Sequence, residues 1–161
     1  MKNKINLAVI GTGRMGSVHV ANLATKVSGV NLTVVCDIKP EVVNAVADRW
    51  GIERRVIDYH ELLLDPTIDA VLIATSTDTH AAIIKDAAMA GKQIFSEKPL
   101  ALNLNDIDEA LAAVHQHKVK LQVGFNRRFD KNFQHVKSVV ATGELGRTCI
   151  LKITNRDPQL P

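Results

Sequence analysis

The sequence predicts an α/β fold, in which a doubly wound and mainly parallel sheet carries helices on both faces. Three features support this. Short apolar runs that suit strands alternate with longer segments of helical spacing. A glycine-rich loop follows the first apolar run and precedes the first helical segment, which is the arrangement of a Rossmann-type domain. Aromatic residues make up only 4% of the 161 residues, so we expect a core of Val, Ile, Leu and Ala.

Six segments are predicted as strands because each is short and mostly apolar, as expected of strands covered on both faces. They span 5–10, 30–36, 55–57, 69–74, 92–96 and 120–123, and the third has the weakest pattern. Helices are predicted between them at 14–27, 40–50, 58–64 and 78–90. The fifth helix is expected to have Asn105 as its cap, with Asp106 and Asp108 in its first turn.

The pattern changes after Gly124, and we divide the chain there into residues 1–124 and residues 125–161. The second part contains a helical segment that ends at Gly143 and a predicted strand at 149–154. The apolar stripe of that helix consists of Phe129, Phe133, Val136 and Val140. An isolated strand is not stable by itself, so we expect this one to be disordered or to pair with another chain. The sequence therefore predicts one complete domain and the start of a truncated second α/β domain.

Composition and charge argue against several classes of protein. The net charge is +3, but the basic residues are scattered, which does not favour a nucleic-acid surface. No apolar run approaches the roughly 20 residues that span a bilayer, and no signal-peptide core follows the first residues. The two cysteines and six histidines lack the spacing of a disulfide framework or a metal site. We expect a cytoplasmic protein with no metal and with neither membrane nor nucleic acid as partner.

The glycine-rich loop Gly11-Thr12-Gly13-Arg14-Met15-Gly16 has the context of a dinucleotide-binding motif. Gly11 permits a tight turn, Gly13 lets the backbone approach a pyrophosphate, and Gly16 allows close packing of helix and strand. Asp37 follows the second strand, 21 residues after Gly16, and is placed to accept hydrogen bonds from a ribose. Its charge would repel a 2′-phosphate, so we expect NAD rather than NADP, although Lys39 would soften that repulsion.

Polar residues also follow the fourth strand. Thr75, Ser76 and Thr77 form a turn, and His80 lies on the first turn of the next helix. These residues could line the nicotinamide and ribose end of a cofactor. Helix capping by Thr77 or Asp78, with His80 merely polar, explains them equally well.

Lys98 lies at the end of the fifth predicted strand, between Glu97 and Pro99. An ammonium group there could hold the oxygen of an alcohol and stabilise developing alkoxide charge. The alternative is a surface lysine in a turn. Glu97 could position Lys98, contact the cofactor or be solvated. Arg127 and its neighbour Arg128 could reach substrate hydroxyls or cofactor phosphate, but an exposed basic pair accounts for them as well.

Taken together, the segments AVIGTGRMG, CD, ATSTDTH, SEKPLA and GFNRRFD resemble those of the Gfo/Idh/MocA oxidoreductases. Within that family the sequence is most similar to inositol 2-dehydrogenases, for which GFNRRFD and TNRDP are suggestive. The resemblance covers nearly the whole chain. It implies an N-terminal NAD-binding Rossmann domain and a C-terminal domain with an open sheet that is commonly used to form homo-oligomers in the full-length protein.

The resemblance also implies roles for individual residues. Pyrophosphate contacts would come from Gly11, Thr12, Gly13, Arg14 and Met15, adenosine ribose contacts from Asp37, and contacts to the middle and nicotinamide ribose from Thr75, Ser76 and His80. Glu97 and Lys98 would also meet the cofactor. Lys98 would hydrogen-bond the reacting hydroxyl as the catalytic residue, and Arg127 is a candidate for the substrate. The Lys98–Pro99 bond of such proteins is often cis.

One expected motif is absent from the sequence. The family's D-x-x-x-H motif supplies a general base, and no Asp in this chain has a His four residues later. We therefore expect the cofactor-binding half of an NAD-dependent dehydrogenase that takes hydride from a cyclitol or sugar hydroxyl, and little or no activity from this chain alone. The alternatives are a different sugar dehydrogenase of the family and a non-catalytic nucleotide-binding or interaction module.

Overall fold

The computed structural model describes residues 4–154 and residue 156. Its strands form one parallel sheet with the order β3-β2-β1-β4-β5-β6. The strands are β1 Ile5–Ile10, β2 Val30–Cys36, β3 Arg54–Val56, β4 Ala70–Ile73, β5 Gln93–Ser96 and β6 Leu121–Val123. The predicted doubly wound parallel sheet is confirmed. The strand order reverses between β1 and β4, because β2 and β3 lie on one side of β1 and β4, β5 and β6 lie on the other.

Helices connect successive strands, as parallel pairing requires. They are α1 Arg14–Lys26, α2 Pro40–Trp50, α3 His60–Leu63, α4 Thr77–Met89, α5 Leu104–Gln116 and α6 Lys131–Thr142, with a 3₁₀ turn at Asn126–Phe129. No helix in the described part of the chain is long and apolar enough to cross a membrane.

The core lies on both faces of the sheet because side chains alternate along each strand. In β1, Ala8 and Ile10 join the cluster that contains α4 and α5 side chains, whereas Leu7 and Val9 join the cluster that contains α1 and α2 side chains. Both clusters consist mainly of aliphatic residues, as the low aromatic content predicts. The helices pack against the two faces of the sheet. The loops that lead from strands to helices lie at its carboxyl edge.

The cap of α5 differs from the prediction. Asn103, not Asn105, is the cap, and its side chain accepts a hydrogen bond from the Asp106 backbone N–H at 2.9 Å. Asp106 also accepts a hydrogen bond from the Asn103 amide at 2.7 Å. An N-cap side chain bonds the amide two or three positions later. The bond between Asn103 and the Asp106 amide follows this rule. The helix therefore begins at Leu104, one residue before Asn105.

Contacts divide the chain into two compact units, Met1–Gly124 and Phe125–Pro161. In the second unit, Asp130 caps α6 by accepting hydrogen bonds from the backbone N–H groups of Asn132 and Phe133. Phe129 belongs to the preceding 3₁₀ turn, so the predicted single stripe starting at Phe129 is wrong.

The predicted strand at 149–154 does not form within the described part of the chain. A strand is defined by its hydrogen-bonded neighbour, and none of the described residues pairs with this segment. Most of the TNRDP segment lies outside the described residues. The role of the second unit as part of a substrate domain stays a prediction.

Candidate functional site

The candidate site lies at the carboxyl edge of the sheet, where the loops after β1, β2, β4 and β5 begin side by side. The last residues of these strands are aligned, since Ile10 pairs with both Cys36 and Ile73, and Ile73 pairs with Ser96. In open α/β sheets, ligands bind in the crevice where the strand order reverses. Here that point lies between β1 and β4, next to the glycine-rich loop.

The glycine-rich loop is held tightly on two sides and open on the third. Gly11 has φ +89°, and a Cβ there would lie 2.6 Å from the backbone of Ala74. A Cβ on Gly16 would lie 1.9 Å from the Gly11 carbonyl oxygen, so α1 packs directly against the loop. A Cβ on Gly13 would meet nothing within 4 Å. The loop therefore leaves exposed backbone at Gly13, at the N-terminus of α1, where an anion would be favoured.

Thr12 faces Asp37 rather than open space. It is 1% exposed, its backbone N–H donates to Asp37 Oδ2 at 2.8 Å, and its hydroxyl donates to the same oxygen at 3.1 Å. The Lys39 backbone N–H donates to Asp37 Oδ1 at 3.1 Å. Thr12 thus orients the carboxylate, while exposed Arg14 and Met15 remain placed for the predicted pyrophosphate contacts.

The loop after β4 holds Thr75, half-buried, and Ser76, exposed. Ser76 occupies the cap position of α4 without a side-chain capping bond, so capping by Thr77 or Asp78 is not observed. The Thr79 hydroxyl lies 2.7 Å from the Thr75 hydroxyl and 2.8 Å from the Ser76 carbonyl oxygen. Both Thr75 and Ser76 lie at the carboxyl edge, as the resemblance requires.

His80 is buried behind this loop, with 2% exposure. Its Nδ1 lies 2.8 Å from the Pro99 carbonyl oxygen, and its Nε2 lies 3.1 Å from the Thr75 carbonyl oxygen. His80 does lie on the first turn of α4, but it is more than merely polar, because both ring nitrogens lie within hydrogen-bonding distance of backbone carbonyl oxygens. In this structure it joins the loop after β4 to the loop after β5, and a direct contact with cofactor stays a prediction.

Lys98 is exposed at the end of β5, and its bond to Pro99 is cis. Within the described part of the chain, its ammonium group has no hydrogen bond or ion pair. Glu97 is not a solvated side chain, which was one of the alternatives in the sequence analysis. Its side chain is 13% exposed, and its Oε1 lies 2.8 Å from His19 Nε2. The Glu97 Oε2 accepts a hydrogen bond from the Lys98 backbone N–H at 3.2 Å.

The sequence analysis did not single out His19. The spacing of the residues does indicate its position. Residues three apart share a helix face, and His19 follows Gly16 by three. Gly16 packs against the loop beneath α1, so the same face must turn His19 toward the sheet.

Arg127 belongs to the second unit, where its guanidinium carbon lies 5.0 Å from the centroid of the Phe133 ring. This is a cation–π distance. Its proposed contact with substrate stays a prediction.

The described part of the chain contains no group of three or more His, Cys, Asp or Glu side chains arranged to hold a metal ion. Next to the ribose candidate Asp37, burial raises the pKa of the Cys36 thiol to about 12, and the Asp37 charge adds to this effect. The thiol is therefore uncharged at neutral pH and is a poor nucleophile or metal ligand.

A family model described as an oxidoreductase family with an NAD-binding Rossmann fold matches residues 5–125. The chain belongs to this family, the Gfo/Idh/MocA oxidoreductases. NAD is accordingly the cofactor of its Rossmann domain.

Several relatives are named as inositol dehydrogenases. A scyllo-inositol 2-dehydrogenase (NAD(+)) of Bacillus subtilis is 42% identical over 161 residues, covering 100% of this chain and 47% of that protein. A myo-inositol 2-dehydrogenase of Thermotoga maritima is 40% identical over 157 residues, covering 98% of this chain and 47% of that protein. The chain thus spans about half the length of these relatives.

A solved structure of the family has the same fold. The crystal structure of scyllo-inositol dehydrogenase from Lactobacillus casei, with bound NAD(H) and scyllo-inositol, superposes with a TM-score of 0.84 at 32% identity. The match covers 89% of this chain and 43% of that one. The predicted family, fold and cofactor are confirmed by these comparisons.

Proposed function

We propose that this chain is the cofactor-binding half of an NAD-dependent dehydrogenase that oxidises a ring hydroxyl of a cyclitol or related sugar. The supporting observation is the exposed Lys98 ammonium, which has no hydrogen bond or ion pair among the described residues and lies at the same sheet edge as the glycine-rich loop and Asp37. The inositol substrates of the relatives favour a polyol of this kind. We also propose that the protein is cytoplasmic and that its full-length form is a homo-oligomer.

The residues present fit a dinucleotide. Gly13 offers open backbone at a helix N-terminus for a pyrophosphate, and Asp37 is oriented by its bonds to Thr12 and Lys39. NAD, when bound, accepts hydride from the carbinol carbon. The substrate carbon loses that hydride, the hydroxyl loses its proton, and a ketone results.

Lys98 serves this reaction electrostatically. Its ammonium donates a hydrogen bond to the hydroxyl oxygen and stabilises the alkoxide character that develops as the O–H proton leaves. The ammonium itself has no lone pair with which to accept that proton. A separate base is needed, and the sequence of this chain lacks the D-x-x-x-H motif.

Titration of the 161-residue chain with NADH, followed by the change in nicotinamide fluorescence, tests cofactor binding. We expect saturable binding of NADH by the wild-type chain. Absence of binding would refute the proposal.

Incubation of the chain with NAD and myo-inositol tests the missing base. We expect negligible NADH formation, measured by absorbance, from the chain alone. Robust turnover would show that a proton acceptor is present among these 161 residues. A longer protein that binds NADH but oxidises no member of a polyol panel would instead favour a non-catalytic nucleotide-binding module.

A further inference from the structure

His19 and Glu97 join two parts of the first unit that are far apart in sequence. His19 lies on α1, Glu97 follows β5, and 78 positions separate them. The distance from His19 Nε2 to Glu97 Oε1 is 2.8 Å, and the side chains are 20% and 13% exposed. A carboxylate only accepts hydrogen bonds, so His19 donates from Nε2. A partly buried, charge-assisted bond of this length is stronger than a surface ion pair.

The Glu97 carboxylate is confined from several directions. Its second oxygen accepts the Lys98 backbone N–H at 3.2 Å. Gly124 lies close by, since a Cβ there would be 3.2 Å from Glu97 Oε1. The His19 ring is also fixed, with its edge against Phe95 at a centroid distance of 5.4 Å. The carboxylate is therefore held between His19, the Lys98 backbone N–H and Gly124.

This position keeps Glu97 away from the neighbouring ammonium group. Lys98 has no ion-pair partner within the described part of the chain, although an acidic residue precedes it. A Glu97 carboxylate released from His19 would be free to approach the adjacent Lys98 ammonium, because opposite charges attract. The bond to His19 holds Glu97 Oε1 on α1 instead.

The same bond links the two halves of the candidate site. α1 begins directly after Gly13, and His19 lies six positions further on, which corresponds to roughly 9 Å along a helix. The helix that would bind the pyrophosphate is thus fastened to the turn that carries Lys98.

We propose that His19 is a positioning residue that holds Glu97, and through it the Lys98 turn, in place for the nicotinamide half of the cofactor. This inference rests on the proposed NAD-binding function. It assigns no contact between His19 and the cofactor. His19 acts by fixing the carboxylate and by leaving the Lys98 ammonium free for a ligand.

The test compares two ligands that share the adenosine and pyrophosphate portions. NADH and ADP are titrated by calorimetry into the wild-type chain and into His19→Leu, which removes the donor. We expect NADH affinity to fall about fivefold to tenfold, which corresponds to about 1–1.4 kcal/mol of lost positioning of the Lys98 turn. ADP affinity should stay within about twofold, because its proposed contacts are at Gly13 and Asp37.

His19→Gln is the matched control, because its side-chain amide can still donate to Glu97. It should recover most of the NADH affinity. If His19→Leu loses its native circular dichroism spectrum, His19→Asn, whose shorter amide does not reach Glu97, takes its place. Circular dichroism of every variant separates loss of the fold from loss of positioning.

An equal loss of affinity for both ligands, or no loss for either, would overturn the inference. So would equal binding of NADH and ADP by the wild-type chain, since the nicotinamide half would then have no site. A wild-type chain that binds neither ligand would refute the proposed function itself, and this result is distinct from the others.

Discussion

The Asp37 carboxylate is fixed by Thr12, whose backbone N–H and hydroxyl both donate to Oδ2, at 2.8 and 3.1 Å. The other oxygen accepts the Lys39 N–H. Oδ2 already accepts two hydrogen bonds and Oδ1 accepts one. Because a carboxylate offers about four acceptor sites, Oδ1 can still accept a hydrogen bond from a ribose hydroxyl. In the proposed cofactor contact, its negative charge would repel the 2′-phosphate of NADP, which would favour NAD.

Replacement of this carboxylate should change cofactor preference. We expect Asp37→Ala to weaken NADH binding about tenfold, the cost of losing one hydrogen bond from a ribose hydroxyl to a charged acceptor. NADPH binding should be unchanged or stronger, because the repulsion of its phosphate is gone. Paired titrations of the chain with NADH and NADPH measure this.

Thr12→Val is the control for the orienting role of Thr12. It removes the hydroxyl bond but keeps the backbone N–H bond, so its effect on NADH affinity should be smaller than that of Asp37→Ala. Preference for NADH that survives in Asp37→Ala would contradict the role given to this residue.

The two glycines of the loop should respond differently to alanine. In Gly16→Ala the new Cβ would lie 1.9 Å from the Gly11 carbonyl oxygen, so the backbone must move. Such overpacking costs about 1–3 kcal/mol or more. Alanine favours helix over glycine by only about 1 kcal/mol. We therefore expect a lower free energy of unfolding, measured by urea denaturation.

Gly13→Ala is the matched variant. A Cβ there meets nothing within 4 Å, so the free energy of unfolding should fall by less than about 1 kcal/mol. The methyl group would occupy the space where a pyrophosphate approaches, and NADH affinity should fall. Equal destabilisation by the two substitutions would contradict the packing described here.

The sequence predicted the elements well where local patterns determine them. β1 and β2 have the predicted bounds, Ile5–Ile10 and Val30–Cys36, because each apolar run is bordered by turn residues. The cap of α5 was misplaced because Asn103 and Asn105 are both suitable residues. The two candidate caps are distinguished only by the hydrogen bond that the Asp106 backbone N–H donates to Asn103 Oδ1.

Contacts over long sequence distances were harder to predict. The bonds of Thr12 to Asp37 and of His19 to Glu97 span 25 and 78 positions. The family resemblance implied a pyrophosphate contact for Thr12, together with the other residues of the loop. It carried no information on which loop residue turns inward, since that depends on how β2 ends beside the loop.

Lys92 provides a test of a buried charge that lies outside the candidate site. It is 6% exposed and its ammonium donates to the carbonyl oxygens of Asp65 and Ile68, at 2.6 and 2.9 Å. Lys92→Met would leave both carbonyls without this donor, at a cost of about 1–3 kcal/mol. We expect a lower urea midpoint and unchanged NADH affinity, because Lys92 precedes β5 at the edge of the sheet opposite the glycine-rich loop.

Lys85→Met is the control for Lys92→Met. Lys85 donates to Glu109 at 2.8 Å on the surface, and exposed pairs of this kind contribute little to stability. Its urea midpoint should stay close to that of the wild-type chain. A Lys92→Met variant as stable as Lys85→Met would show that water replaces the lost donor.

The two cysteines should differ in reactivity. Cys36 is buried and Cys149 is exposed, and burial together with the Asp37 charge raises the Cys36 pKa from 9.0 to about 12. Because the thiolate is the reactive form, Cys36 should resist a thiol reagent such as DTNB at pH 8 while Cys149 reacts. One thiol should titrate in the native chain and two in denaturant.

The same pKa shift gives the sign of a pH effect. A thiol whose folded-state pKa is raised contributes stability that is complete below its unfolded value near 9 and is lost as the pH rises toward 12. Cys36→Ala should therefore flatten the fall in urea midpoint between pH 9 and pH 11, whereas Cys149→Ala should leave it unchanged. Rapid DTNB modification of Cys36 in the folded chain at pH 8 would show that the carboxyl end of β2, next to Asp37, opens to solvent.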